Sequence, residues 1–525
     1  MSDSLFLPEN MNGFRMHFVG IKGTGMAALV EICAARGAVI TGSDVEERFY
    51  TDEILERLGI KPLPFSKDNI GGNGSPLPDI VVYSSAYKLD VNPDLIQASE
   101  KGVKCVLYTE ALGAVSAASY SVGICGVHGK TTVTGMSGTL ISSLGLSAQI
   151  LAGSAVKSFG GSCTLTAGHK YFVAETCEYQ RHFMSFHPQK IVLTSVESDH
   201  EDYYPTYGDI LDAFVDYICL LPEGGTVIYC SDDKGACEAV ENARLQRSDI
   251  KFIPYGEYAP GDYGIVFGKI DDGKQFFSLS GFDAEFAVRI PGHHEVLDAA
   301  AAIALSVELL KTERTSSCSA GTTGEACMSE AGSDNASGAL SAEVVTIADI
   351  SKLQTALLSF EGAKRRSEII GKTGKCIFVD DYGHHPTAVK TTLSGFRSFY
   401  RDYVMIVDFM SHTYTRTAAL LEDFASSFGD ADEVILHKIY PSAREVYSGG
   451  VNGKILFART SAHHNNVKYF EEVMDAESYV KDRLSQPIPE GKKGYLFITM
   501  GAGDNWKLGK ALFDEMNAKE KTGES

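Results

Sequence analysis

An α/β fold in three successive units is what this sequence predicts, and three observations carry the prediction. Short apolar runs alternate with stretches of helical periodicity along nearly the whole chain, the pattern of strands joined by crossover helices. Two of the strand-to-helix junctions, residues 20–25 and 126–129, are rich in glycine. With 525 residues the chain exceeds one ordinary core, and a density of about 100 to 200 residues per domain suggests about three. The expected boundaries are 1–116, 117–358 and 359–525.

The first unit opens with a strand over 16–20, then Gly20-Ile21-Lys22-Gly23-Thr24-Gly25, then a helix carrying Met26, Leu29, Val30 and Ile32. This is a Rossmann-like start, in which glycines allow a tight turn and close approach of backbone N–H groups to a nucleotide. A second strand over 39–41 ends near Asp44, about the offset at which an acid bonds a ribose hydroxyl. The spacing is GxxGxG rather than GxGxxG, so a purely structural turn is the competing explanation. Further strands are expected over 79–83, leading into Ser84-Ser85-Ala86, and over 103–108, before the unit closes near Ser116.

The second unit carries the most informative stretch, GICGVHGKTTVTGM over 123–136. An apolar strand over 121–125 precedes it, and Val133, Met136, Leu140, Ile141 and Leu144 recur at helical spacing until Gly145. Glycine-rich turns close backbone N–H groups on phosphate oxygens, a lysine neutralises the outer phosphates, and a hydroxyl at the helix start ligates magnesium. Gly126, Gly129, Lys130 and Thr131 supply those parts, although Ile124 stands where the strict P-loop pattern needs glycine. Strands expected over 171–174 and 190–194 run into Glu175 and into Glu197, Asp199 and His200. Strand C-termini of a parallel sheet share one edge, so Glu175 and His200 are expected to face the phosphates as magnesium ligands rather than being a solvated acid and a structural histidine.

Residues 312–343 fill with Ser, Gly, Ala and Thr and lose hydrophobic periodicity, which predicts a flexible surface insertion with Cys318 and Cys327 as incidental thiols. The third unit alternates again: a strand over 376–379, a helix after Pro386, a strand over 404–407, a helix around 418–428, and strands over 434–436 and 495–499. Its strand ends carry Asp380-Asp381-Tyr382-Gly383-His384-His385, then Ser411-His412-Thr413-Tyr414-Thr415-Arg416, then Gly501-Ala502-Gly503-Asp504, a concentration of polar groups that suggests a binding face. Trp506, the one tryptophan, is expected to serve packing rather than function.

Composition removes several classes of function. A formal net charge of −21, from 47 basic and 68 acidic residues, repels a phosphate backbone at long range, so nucleic acid is not expected as a partner. The longest apolar run, 299–310, contains Glu308 and is too short to span a bilayer. The opening MSDSLFLPEN has no basic segment followed by an apolar one, and the 11 cysteines show no C-x-x-C pair; both fit a reduced, cytoplasmic protein.

Eight motifs in order resemble the Mur ligases of cell-wall synthesis over nearly the whole chain: GIKGTGM at 20–26, GVHGKTT at 126–132, AETCEY at 174–179, SDHEDYY at 198–204, FEGAKRR at 360–366, DDYGHHPT at 380–387, HTYTRT at 412–417 and MGAGD at 500–504. The resemblance implies an N-terminal Rossmann-like domain that binds UDP, a central P-loop ATPase with a mostly parallel sheet, and a Rossmann-like C-terminal domain that closes over the reaction. It implies ATP and Mg2+, and is strongest toward the branch that joins UDP-N-acetylmuramate to L-alanine through an acyl phosphate, as a monomer or homodimer. By position, Lys130 would hold the phosphates in a cradle with Gly126, His128, Gly129, Thr131 and Thr132. Thr131 and Glu175 would hold one magnesium and His200 would help hold a second. Arg365 or Arg366, with Asp381, would bind ATP from the third domain. Tyr382, His384, His412 and Arg416 resemble residues that orient the lactyl carboxylate and the amino acid, while Gly23, Gly25, Asp44 and Ser85 belong to the UDP-binding domain. Lys130, Glu175, His200, His384 and Arg416 make up the implied catalytic set.

Two positions depart from the family pattern. His294-Glu295-Val296-Leu297-Asp298 stands where a segment with two asparagines is usual near ATP, replacing two neutral amides by two potential anions. Thr413 stands where a basic residue usually follows the histidine of HTYTRT. Three other functions compete with the L-alanine reaction: a recycling ligase that adds a preformed peptide, a non-catalytic binder of UDP-sugar or ATP, and the nicotinamide enzyme that a GxxGxG loop alone would suggest. The P-loop argues against the last, retention of Lys130, Glu175 and His200 against the second, and HTYTRT with DDYGHHPT against the first.

Overall fold

Arg15–Val19 lies between two parallel partners, Val39–Ser43 and Ile80–Tyr83, and Lys104–Leu107 completes a four-stranded sheet beyond the latter. The computed structural model describes residues 7–49, 51–72, 74–200, 202–319, 344–441, 445, 447 and 449–522. Strand order reverses beside Arg15–Val19, so the loops after it and after Ile80–Tyr83 open a crevice at the sheet edge. Gly20 turns the chain there at φ 83°, with a Cβ position 2.6 Å from the Tyr87 ring, so only glycine fits. The strand expected over 103–108 ends at Leu107, and Tyr108–Ala117 is a helix that the sequence reading missed. Glu110 causes the early stop, its carboxylate accepting from the Leu107 amide at 2.7 Å and so capping the helix.

The central sheet has seven strands in the order Lys251–Tyr255, Thr226–Cys230, Lys190–Leu193, Tyr120–Cys125, Tyr171–Glu175, Ala148–Val156, Ser162–Thr166, parallel apart from the last pair. Helix Lys130–Leu144 packs between this sheet and helices His293–Ser319 and Ile347–Ser359, and it ends on Gly145 at φ 77°, as its periodicity predicts. Gly135 and Gly138 permit the fit, because a Cβ there would come 3.1 Å from Phe360 and 2.5 Å from Phe159. A small antiparallel sheet, Ile265–Asp271, Lys274–Leu279 and Glu285–Val288, adds to the same core.

The insertion expected from residue 312 starts later, because helix His293–Ser319 continues through its first eight positions. Glu313 holds that turn by accepting from Lys170 at 2.7 Å and Tyr171 at 2.6 Å, and Arg314 pairs with Asp349 at 2.9 Å. Residues 320–343, with Cys327, lie outside the described residues, as does the side chain of Cys318. Every other cysteine is a free thiol.

The C-terminal sheet runs Glu368–Lys372, Cys376–Asp381, Gly494–Met500, Tyr403–Phe409, Glu433–Leu436, Val467–Tyr469, with only the first pair antiparallel. The single helix expected around 418–428 is two, Tyr414–Ala419 and Leu421–Ser426, broken at Leu420 where φ is −111°. Trp506 opens the helix Trp506–Thr522 and is 37% exposed, a surface residue. No helix among the described residues is long and apolar enough to cross a membrane.

Candidate active site

The strand Tyr120–Cys125 ends on Gly126 at φ 134°, where a Cβ would meet Thr194 Oγ1 at 2.1 Å and the Ser195 amide nitrogen at 2.8 Å. Gly129 at φ 79° starts the fifteen-residue helix, and a Cβ there would lie 2.6 Å from Asp298 Oδ1. Both positions require glycine, and the turn they make presents its backbone at a helix N-terminus, where the dipole favours an anion. Thr131 is buried in the first turn of that helix, while Thr132 and Lys130 line a cavity of about 950 Å³ between the central and C-terminal domains.

Lys130 Nζ pairs with Glu178 Oε2 at 2.9 Å and Oε1 at 3.1 Å, and also donates to the Gly126 carbonyl. His200 Nε2 stands 3.4 Å from Glu178 Oε1, under the Tyr179 ring at 4.7 Å between centroids. Burial opposes ionisation of the Glu178 carboxyl, yet Lys130 and His200 hold it below its ordinary value; Glu178 in turn holds the Lys130 ammonium above its own. His200 has φ 57°, a strained backbone for a histidine, of the kind that clusters at working sites.

Glu175 points elsewhere. Its Oε2 accepts from the Gly153 amide at 2.7 Å, and the residue lines a second cavity of about 400 Å³. The acid of AETCEY that meets both Lys130 and His200 is therefore Glu178, which the sequence reading passed over. A usable signal was present, since a partly buried P-loop lysine needs a counter-ion and the motif contains two acids.

Across the large cavity the C-terminal domain contributes Tyr382, His384, His412 and Arg416. Arg416 Nε donates to Asp199 Oδ1 at 3.0 Å and its Nη2 reaches the same oxygen at 2.5 Å, joining two domains through buried groups. Burial alone would raise the Asp199 carboxyl, but Arg416, His200 and His384 hold it well below the usual carboxylate range. His384 Nδ1 faces the Tyr382 carbonyl at 2.9 Å, and burial and Arg416 keep its ring neutral. His412 is likewise shifted down by burial and Arg416. Thr413, at φ 65°, accepts from the Arg416 amide at 3.4 Å and starts the short helix that carries the arginine.

Arg365 and Arg366 separate in role. Both guanidinium groups lie over the Tyr382 ring, but Arg365 is tied within its domain to Asp380 at 2.8 Å and to the Gly501 carbonyl at 2.7 Å, whereas Arg366 lines the cavity. Asp381 also lines it, accepting from the amides of Ser367 and Gly383, both at 2.7 Å. Glu295 and Asp298 lie on the same wall, 3% and 7% exposed, and Glu295 Oε2 has no hydrogen-bond partner among the described residues. Burial pushes both carboxyls well above their ordinary values; the Asp298 and Asp381 charges add to the effect on Glu295, while Arg366 opposes it at both.

The second cavity is lined by Gly23, Gly25, Ser84 and Ser85 of the N-terminal domain and by Glu175, Thr176 and Cys177 of the central one. A Cβ at Gly25 would press on the Tyr108 ring at 3.0 Å, whereas Gly23 has room. Asp44 does not line this cavity. Its carboxylate holds the glycine loop from behind, accepting from Lys22 N at 2.7 Å, Val45 N at 2.8 Å and Tyr87 Oη at 3.2 Å. Cys177 lines both cavities, so the two meet at the turn that leads to Glu178.

The cradle fits a triphosphate, since Gly126 and Gly129 admit no side chain and Lys130 holds a charge that phosphate oxygens compete for. For a magnesium ion, the oxygens of Thr132, Glu178 and Asp199 and the ring of His200 are the donors lining this cavity, while Thr131 is buried and does not line it and Glu175 is turned to the other cavity.

Fold and site together define a three-domain α/β protein with a P-loop whose C-terminal domain faces the phosphate cradle. Family models describe the same order: Mur ligase family, catalytic domain, over 15–120; Mur ligase middle domain over 124–306; and Mur ligase, glutamate ligase domain, over 365–503. The chain belongs to the Mur ligase family. It is 48% identical over 509 residues to the UDP-N-acetylmuramate--L-alanine ligase of Treponema pallidum (strain Nichols), covering 97% of this chain and 98% of that one. It is 34% identical over 496 residues to the enzyme of the same name from Borreliella burgdorferi, covering 94% and 97%. Its fold is shared with the UDP-N-acetylmuramate-alanine ligase MurC of Thermotoga maritima, at TM-score 0.67, 20% identity and coverage of 96% and 99%. MurF of Thermotoga maritima, solved in complex with ADP, shares it at TM-score 0.51 and 15% identity over 100% and 99%.

Proposed function

We propose that this protein is an ATP-dependent ligase that joins L-alanine to the lactyl carboxylate of UDP-N-acetylmuramate, giving ADP and phosphate in peptidoglycan precursor synthesis. One observation carries the reading: a cavity under the N-terminal glycine loop meets, at Cys177, a second cavity that holds the P-loop lysine and faces Arg416 and His384. A substrate with a nucleotide at one end and a carboxylate at the other suits that path. The relatives are UDP-N-acetylmuramate--L-alanine ligases by name, which supports the choice of UDP-N-acetylmuramate and L-alanine.

A carboxylate is a poor electrophile and its oxygen a poor leaving group, so it is activated first. A carboxylate oxygen attacks the γ-phosphorus of ATP, the bond to the β,γ-bridging oxygen breaks, and ADP leaves. Lys130 and the P-loop amides stabilise the charge that spreads over the transferring group. The amine nitrogen of L-alanine then attacks the acyl carbon, phosphate departs with the carboxylate oxygen, and the nitrogen loses a proton as the amide forms. Arg416 orients a carboxylate while Asp199 keeps the guanidinium in place. His384, uncharged, accepts a hydrogen bond from the amine without repelling it. Arg366 and Asp381 meet the nucleotide from the C-terminal side. Mg2+ held by Thr132 and His200, with Glu178 or a reoriented Glu175, would neutralise the phosphates when bound.

The test is phosphate release from ATP with magnesium and UDP-N-acetylmuramate, comparing L-alanine, glycine, L-serine, a muramyl peptide's free tripeptide and no acceptor. Release that requires both UDP-N-acetylmuramate and L-alanine is the expected result. Release with the tripeptide alone would reassign the protein to recycling, and none with any acceptor would remove the ligase reading.

A further inference from the structure

Three side chains meet beside the P-loop, at the edge of the large cavity. His128 sits in the loop, Glu197 follows the strand Lys190–Leu193, and His385 caps the helix Pro386–Phe399 of the C-terminal domain. His128 Nε2 lies 2.8 Å from Glu197 Oε2, and His385 Nδ1 lies 3.6 Å from the same oxygen. The two rings stand 5.1 Å apart between centroids. One ligand atom from each residue falls within 4.8 Å of the other two, and among the described residues no other trio of His, Cys, Asp or Glu does so.

Two further features suit a cation better than a simple hydrogen-bonded cluster. His385 is 5% exposed; its Nδ1 accepts from the Thr387 amide at 3.3 Å, whereas its Nε2 has no hydrogen-bond partner among the described residues and is the nitrogen with a lone pair to offer a cation. Thr387 Oγ1 donates to Glu197 Oε1 at 2.7 Å, orienting the carboxylate while Oε2 faces the imidazoles, which is how outer partners position metal ligands. Two imidazole nitrogens and one carboxylate oxygen match borderline ions such as Zn2+ and Co2+, whereas Mg2+ prefers oxygen donors and water.

We propose that His128, Glu197 and His385 bind a first-row transition ion of the Zn2+ or Co2+ type, and that this ion clamps the C-terminal domain onto the P-loop. Binding replaces the proton shared between His128 and Glu197 by the metal. Two ligands belong to the central domain and one to the C-terminal domain, so the site is complete only when the domains are together.

The experiment uses the full chain without an affinity tag, stripped with chelator and free of nucleotide, titrated with Co2+ and followed by its visible absorption, with Zn2+ competition. The expected result is one saturable Co2+ per chain, displaced by Zn2+. His128→Gln and His385→Gln should abolish it. Thr387→Val, which keeps all three ligands, should weaken binding by about tenfold. His200→Gln should leave it unchanged, separating this site from the triphosphate's magnesium. Absence of saturable Co2+ binding by the unaltered chain would overturn the proposal without reference to any variant's folding. Binding lost in His200→Gln but kept in His385→Gln would overturn it equally. The readout involves no substrate, so failure of the ligase reading does not decide it.

Discussion

Two sets of buried carboxyls line the same cavity and are held in opposite states. Glu178 has Lys130 at 2.9 Å and His200 at 3.4 Å, and the two partners keep it ionised against the effect of burial. Glu295 and Asp298, the latter against Gly129 of the P-loop, have burial on one side of the balance, joined at Glu295 by the Asp298 and Asp381 charges, and only Arg366 on the other, and they are pushed toward the neutral acid. The functional groups are the same; the placement of one ammonium decides which is an anion. A neutral carboxylic acid can also accept and donate like an amide, which is how acids can occupy positions where the family usually has asparagines.

Lys130→Ala removes the cation on the ionised side and is the strongest way to break the comparison. Turnover should fall by at least about 10^2- to 10^3-fold, with UDP-sugar binding nearly intact because that cavity lies under a different domain. Steady-state phosphate release and calorimetric titration with UDP-N-acetylmuramate measure the two halves; near-normal turnover would remove Lys130 from the chemistry.

Glu178→Gln leaves a partly buried ammonium without its partner, a change that costs about 3 kcal/mol or more in stability. Denaturant unfolding should show that loss, and ATP should restore part of it by supplying phosphate oxygens in place of the carboxylate. Equal stability of the two proteins would mean that the pair contributes little.

The smallest effect belongs to Glu295 and Asp298. The folded state raises the Glu295 and Asp298 carboxyls, so it retains protons that the unfolded chain has lost, and stability falls as pH rises from the ordinary carboxylate range toward the folded values. Glu295→Asn with Asp298→Asn should therefore stay active and be more stable than the unaltered chain at pH 7 and above, with the difference shrinking toward pH 4. It should also tighten ATP binding. Loss of activity would show that the acids themselves have been recruited into the site.

The P-loop was legible because its parts are adjacent in sequence: strand, glycines, lysine, hydroxyl and helical periodicity follow one another through 120–145. The pairing of Asp199 with Arg416 was not, since 217 residues separate them and no local pattern connects two domains. Glu175 and Glu178 could not be ranked from sequence, because the choice depends on how the chain turns after Tyr171–Glu175 and where the Gly153 amide lies. Low-complexity composition from residue 312 concealed a further helical stretch that tertiary contacts of Glu313 and Arg314 hold in place. Asp44 stood at the offset of a ribose ligand but supports the glycine loop, a reminder that an acid near such a loop has backbone amides to satisfy.

The central claim, activation of a substrate carboxylate as an acyl phosphate between the P-loop and Arg416, is tested most directly with UDP-N-acetylmuramate carrying 18O in both lactyl carboxylate oxygens. In the presence of ATP, magnesium and L-alanine, the account predicts one 18O atom in each released phosphate and one in the new amide carbonyl. Label appearing in AMP, or phosphate released without label, would contradict it.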